Sequence, residues 1–168
     1  MGGRNPVAMA DLRAAFEDAG FDSVRTYIQS GNVLFGTTAA AASLESKIEQ
    51  MLERHLGIPL IVVVRSHAQI RTIVNGAPER FGAKPATYHS DVIFLKAPLT
   101  SKQAMKSVEL REGVDQAHRG PGVVYFERLS ARRSQSRMSR IVGKPEYQQM
   151  TIRSWATTTK LLALLDHE

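Results

Sequence analysis

Apolar residues along this chain switch repeatedly between the 3.6-residue spacing of a helix and the two-residue spacing of a strand. The order of those switches constrains the fold more than any motif does. Leu12, Ala15, Phe16 and Ala19 keep helical spacing, and Gly20 suits the left-handed position that ends a helix. Val24, Thr26 and Ile28 alternate with Arg25 and Tyr27, Ser30-Gly31 offers a turn, and Val33 and Phe35 resume, which predicts a hairpin. Ser43 can cap a helix with Leu44, Ile48, Met51, Leu52 and Leu56 on one face, and Gly57 stops it. The run Leu60 to Val64 is expected as a buried strand, and Ser66 as the cap of a helix with Ile70, Ile73 and Val74 inward.

The second half repeats this order. A strand is predicted over Val92 to Leu95, a helix from Ser101 to Val108, and strands near Val114 to His118 and Val123 to Leu129 around Gly120-Pro121-Gly122. Ser134 or Ser136 heads a helix carrying Met138, Ile141 and Val142, Thr151 to Arg153 forms a short strand, and Ser154 caps a closing helix. Written as elements, the second half is βαββαβ plus a helix, and the first is the same with its opening strand missing. The pattern predicts an α+β protein of two ferredoxin-like halves. Similarity rests on order alone, without a residue-level repeat, so coincidence of order is the alternative. Residues 1–76 are expected as the first half with its connecting helix, the proline-bearing stretch 77–86 as a linker, and 87–168 as the second half, with one compact domain overall as the alternative.

Composition removes several classes. A hydrophobic share of 43% with 23% charged residues is that of a globular chain, neither disordered nor fibrous. The absence of cysteine excludes disulfides, thiolate metal sites and a cysteine nucleophile. The first residues lack the apolar stretch of a signal peptide, and Leu60 to Val64 is too short to cross a bilayer, so a cytoplasmic protein with no membrane partner is expected. The formal net charge of +6 is unevenly placed: charges nearly balance through His118, whereas Arg119 to Lys160 holds nine basic residues against Glu127 and Glu146. Partners bearing phosphate, as nucleic acid or a small anion, are the natural expectation.

Gly2-Gly3-Arg4-Asn5, Met9-Ala10-Asp11-Leu12-Arg13 and Arg25-Thr26-Tyr27-Ile28-Gln29-Ser30-Gly31-Asn32-Val33 resemble the bacterial family catalogued as domain of unknown function 1697. Ser136-Arg137-Met138 and Thr151-Ile152-Arg153-Ser154-Trp155-Ala156-Thr157 are similar to its Ser-Lys-Leu and Thr-x-Arg-Asn-Trp-Asn-Thr segments. The resemblance implies an apolar strand ahead of the glycine pair, which is absent here. An incomplete sheet is then expected to show lower stability, or association between copies through its edge. Arg137, Ser154 and Ala156 depart from the family pattern, which puts in doubt any site built on those side chains.

Candidate sites follow from residue chemistry. Gln29, Ser30 and Asn32 around Gly31 could offer donors to an anion, although such residues also satisfy turns locally. Arg128, Arg132, Arg133, Arg137, Arg140 and Lys144, interleaved with serines, have the chemistry of phosphate capture or of a plain solvated face. Arg153 and Lys160 flank the last strand-to-helix junction, where Trp155 is expected in the core. Arg119 to Phe126 meets several positions of the RNA-recognition signature, but Pro121 and Val123 replace the aromatics that stack on bases. The five histidines show no metal or nucleophile spacing, and no metal or cofactor is expected; His118 or Asp115 remains available to a site assembled by folding. The leading expectation is a binding protein for a phosphate-bearing ligand or nucleic acid through the basic C-terminal third. The alternatives are an enzyme with a pocket between the halves and a protein-interaction module.

Overall fold

The computed structural model describes residues 7–28 and 31–167. The fold is α+β, with two antiparallel sheets among those residues. The chain divides into two compact units, Met1–Val64 and Arg65–Glu168.

In the first unit, α1 (Met9–Asp18) leads into the antiparallel strands β1 (Asp22–Tyr27) and β2 (Asn32–Gly36), followed by α2 (Ala41–Leu56). The helical and alternating apolar positions of the sequence meet in one core of Leu12, Phe16, Val24, Leu44, Ile48 and Leu52. Phe16, Phe21 and Phe35 add a ring cluster with centroids 4.8–5.5 Å apart, a separation at which tilted rings attract beyond their burial. Gly57 ends α2 at φ 74°.

Leu60 to Val64 departs from the strand expected of it. It is extended but joins no ladder among the described residues. Its period-two burial survives, since Leu60, Val62 and Val64 pack on the core while Ile61 is 55% exposed. The hydrogen bonds differ: the Val62 and Val64 N–H groups donate to Glu49 Oε2 at 3.1 Å and Glu45 Oε2 at 2.9 Å. Carboxylates from α2 thus serve where a neighbouring strand's carbonyls would.

The second unit runs α3 (His67–Asn75), β3 (Tyr88–Leu95), α4 (Ser101–Ser107), β4 (Asp115–Gly120), β5 (Val123–Leu129), β6 (Met150–Ser154) and α5 (Trp155–Asp166). Its antiparallel sheet has the order β4-β5-β3-β6. Capping boxes at Ser66 and Thr100 start α3 and α4, and Ser154 Oγ accepts from Thr157 N at 3.1 Å to start α5. The boundary falls before α3, not at 77–86, because α3 is tied to this unit. Tyr125 Oη donates to Ile73 O at 2.7 Å, and His67 on α3 pairs with Asp166 on α5 at 2.6 Å.

The helix expected after β5 is replaced by three 3-10 turns, Ser130–Gln135, Met138–Gly143 and Pro145–Gln149. Arg132 sits at φ −122°, outside helical geometry, and Gly143 and Pro145 break the stretch leading to β6. Met138 and Ile141 are still buried, but Val142 is 63% exposed.

Residues directly opposite across a ladder share a face. Ile93, Leu95, Val124 and Phe126 therefore line one face of the sheet, where they meet Ala104 of α4 and Met138 and Ile141 of the 3-10 turns. Val92 and Tyr125 line the other, where Phe81 stacks edge-on against Tyr125 and Trp155.

Candidate functional site

On the α4 face of the larger sheet the apolar positions Leu95, Ile93, Val124 and Phe126 give way to polar ones from the row Asp91–Phe126–Ala117 onward. The next residues on the same face, in cross-strand register, are His89, Arg128 and Asp115. The loop between the first two 3-10 turns brings a fourth group, Arg137, whose backbone N–H donates to Asp115 Oδ2 at 2.9 Å. The Arg111 N–H donates to the same oxygen at 2.8 Å. One carboxylate thereby anchors two loops beside β5.

Asp115 is only 7% exposed, and its second oxygen, Oδ1, has no hydrogen-bond partner. Arg128 Nε and Arg137 Nε are likewise buried without a partner; these three atoms are the orphaned buried side-chain polar atoms among the described residues. Leaving such an atom unsatisfied costs roughly 1–3 kcal/mol, and the three belong to neighbouring residues, Arg128 opposing Asp115 across the ladder and Arg137 donating its backbone N–H to it. Asp91 lies on the same face, with His89 Nε2 at 3.2 Å from its Oδ1. Burial raises the Asp91 pKa above the ordinary carboxylate value, and the nearby His89 and Arg128 charges oppose that rise. The cluster thus presents two N–H donors on cationic groups and one carboxylate acceptor. That set matches an oxyanion that carries its own O–H or N–H.

The other residues singled out in the sequence are dispersed. Gln29 and Ser30 lie outside the described residues. Asn32 is buried in the first unit and donates to Tyr27 O at 3.1 Å, closing its own hairpin. Arg132 and Arg133 are exposed, with Arg132 donating to Gln135 Oε1 at 2.8 Å. Glu109 engages both Arg140, at 3.1 Å, and Lys144, at 3.3 Å, and the two cations hold its pKa below the ordinary value. Arg153 opposes Val92, so it lies on the opposite face of the sheet from Arg128. Its Nη1 donates to Thr151 Oγ1 and Ile152 O, both at 2.9 Å, and burial lowers its pKa. Lys160 is exposed on α5. Tyr125 and Phe126, the aromatics of the segment that resembles an RNA-recognition strand, are fully buried and cannot stack on bases.

His89 and Asp91 carried no signal in the one-dimensional pattern, and Asp115 only that of an unplaced carboxylate. Register brings them beside Arg128, and register is a long-range property. Among the described residues no three His, Asp or Glu side chains group to hold a metal ion. No helix among them is long and apolar enough to cross a membrane.

These features define a two-unit α+β protein with a half-buried arginine pair at one end of its larger sheet. The chain belongs to the family described as protein of unknown function (DUF1697), whose model matches residues 1–125. The matched span ends before Arg128. The fold is similar to that of the conserved bacterial protein SP0830 from Streptococcus pneumoniae, with a TM-score of 0.82 and 24% sequence identity, over 98% of this chain and 92% of that one. No curated protein matches the sequence.

Proposed function

We propose that the protein is a cytoplasmic binding protein for a small phosphate-bearing ligand, held at Arg128, Arg137 and Asp115. The observation that carries this is that the three buried, partnerless polar atoms, two arginine Nε donors and Asp115 Oδ1, belong to residues that meet in the fold, with Arg128 opposite Asp115 in the ladder and the Arg137 backbone N–H on its Oδ2. A phosphate monoester satisfies all three when its oxygens accept from the arginines and a ligand hydroxyl donates to Asp115. A small ligand is favoured over nucleic acid because the basic residues form no continuous track. Arg140 and Lys144 are paired with Glu109, and Arg153 faces the other side of the sheet.

The fold reading behind this proposal is ferredoxin-like. In the second unit the sheet order, counted by strand within the unit, is second-third-first-fourth, and α4 and the 3-10 turns cover one face, which supports that reading.

Calorimetric titration of the full chain with glycerol 3-phosphate tests the site. Arg128→Gln and Arg137→Gln should each weaken binding about tenfold, the loss of one charge-assisted hydrogen bond, while Arg132→Gln leaves it unchanged. Absence of binding, or undiminished affinity in the Arg128 and Arg137 variants, refutes the proposal.

A second reading, self-association through the first unit, is favoured by the run Leu60 to Val64, which joins no ladder among the described residues. It is uncharged, Ile61 to Val64 are β-branched, and the Ile61 and Val63 backbone groups make no hydrogen bond among the described residues.

A further inference from the structure

We infer that the first unit carries a separate ligand site of its own. It is a cleft of about 630 Å3 between the end of α1 and one flank of α2, shaped for a small organic anion with an aromatic or aliphatic body. The volume lies in the range of small-molecule sites, roughly 300–1,000 Å3. Its wall and floor differ in chemistry. Lys47, Arg54 and His55 line the α2 side, while Phe21 and Met51 supply apolar surface below them. Phe21 belongs to the Phe16–Phe21–Phe35 cluster, so the floor is rigid and fixed by the core.

Charge on α2 is segregated around the helix axis. Glu45 and Glu49 turn toward the extended segment, where they accept from Val64 N and Val62 N. At 100° per residue, Lys47 and Arg54, seven positions apart, lie on the opposite flank, with Met51 between them and His55 alongside. None of the Lys47, Arg54 and His55 side chains makes a hydrogen bond or ion pair among the described residues. The helix dipole accounts for basic residues in the last turn, which suits Arg54 and His55. It does not account for Lys47, two turns earlier, whose place on the cleft wall adds a second full cation to Arg54, against the single carboxylate of the lining, Asp18 of α1. An anionic group seated between Lys47 and Arg54 leaves the rest of the ligand over Met51 and Phe21. The hydroxyl of Thr38 is within the same lining.

Phenyl phosphate, inorganic phosphate and phenol, each titrated into the full isotope-labelled chain and followed by amide chemical shifts, test this. Phenyl phosphate should move resonances of α2 and residues 37–39 and bind at least tenfold more tightly than either inorganic phosphate or phenol. Lys47→Gln and Arg54→Gln should each weaken it about tenfold, with Glu53→Gln, an exposed control on the same helix, unchanged. Arg128→Gln should leave these shifts intact, so that failure here and failure of the site in the second unit are separable. Absence of shifts in the first unit overturns the inference. So does phenyl phosphate binding that survives in the Lys47→Gln, Arg54→Gln double variant.

Discussion

Substituting Gly82 by alanine tests how closely the second unit packs around Trp155, the one tryptophan of the chain. Gly82 adopts φ +74°, and a Cβ built on it falls 2.0 Å from Trp155 Cδ1, 2.4 Å from Nε1 and 2.8 Å from Cγ. The indole cannot swing aside freely, because Phe81 stands edge-on to it at 5.1 Å. Two costs add: about 1–2 kcal/mol for a left-handed alanine and about 1–3 kcal/mol for overpacking. Gly113 separates them. Its φ is +76°, and an added Cβ would meet only Arg132 Nη1, at 3.9 Å. Gly113→Ala should therefore lose about 1–2 kcal/mol and Gly82→Ala about 2–5 kcal/mol. Urea denaturation followed by Trp155 fluorescence reads both, and a denaturant slope of about 1–3 kcal/mol per molar makes the difference between their midpoints measurable. Gly82→Ala should also shift the native emission maximum. Coincident midpoints for the two variants, with an unmoved emission maximum, would refute the packing.

Two further expectations concern charge. Because burial raises the Asp91 pKa above its ordinary value of 3.8, the folded state holds this proton more tightly than the unfolded state. Stability contributed by the protonated form is complete below 3.8 and falls as pH rises through the raised folded value. Wild-type stability measured in urea from about pH 4 to 7 should show that fall, whereas Asp91→Asn should lack it; a difference between the two that is constant with pH contradicts the burial. At the edge of the first unit, Ile61→Lys adds a charge to the exposed strand-like run. Sedimentation should show the wild type associating with rising concentration and the variant monomeric, and a wild type monomeric at all concentrations removes the self-association reading.

Local signals were legible in the sequence, and long-range ones were not. β5 occupies the predicted Val123 to Leu129, and the caps at Ser66 and Ser154 act where their side chains were expected to. In each case the cause lies within a few residues. The run Leu60 to Val64 joins no ladder among the described residues: β-branched composition reports a fit to an extended, half-buried surface, whereas ladder membership depends on a distant partner. Glu45 and Glu49 answer two of its N–H groups from 19 and 13 residues away. The basic third misled for the same reason: Arg140 and Lys144 look available in sequence, and Glu109, 31 residues before Arg140, engages them both. Arg137 was visible as a cation, but its neighbour Asp115 lies 22 residues away.

That distance bears on why the cluster exists. Asp115 supplies its Oδ2 to two backbone N–H groups and so fixes the loops at Arg111 and Arg137. A purely structural aspartate would be complete if the second oxygen also met a donor. Instead Oδ1 remains unpartnered, as do the Nε groups of the neighbouring Arg128 and Arg137. An apolar replacement of the whole group would remove those desolvation costs, as it often does for buried ionic clusters, and Phe126 and Ala117, the next positions of β5 and β4 on this face, show that it accommodates apolar residues there. Retained cost of this kind is expected where a sheet end serves a ligand and not only its own core. A ligand that satisfies the three unpartnered atoms binds the folded state alone, so site occupancy and fold stability rise together, by about 2.7 kcal/mol at one hundred times its dissociation constant.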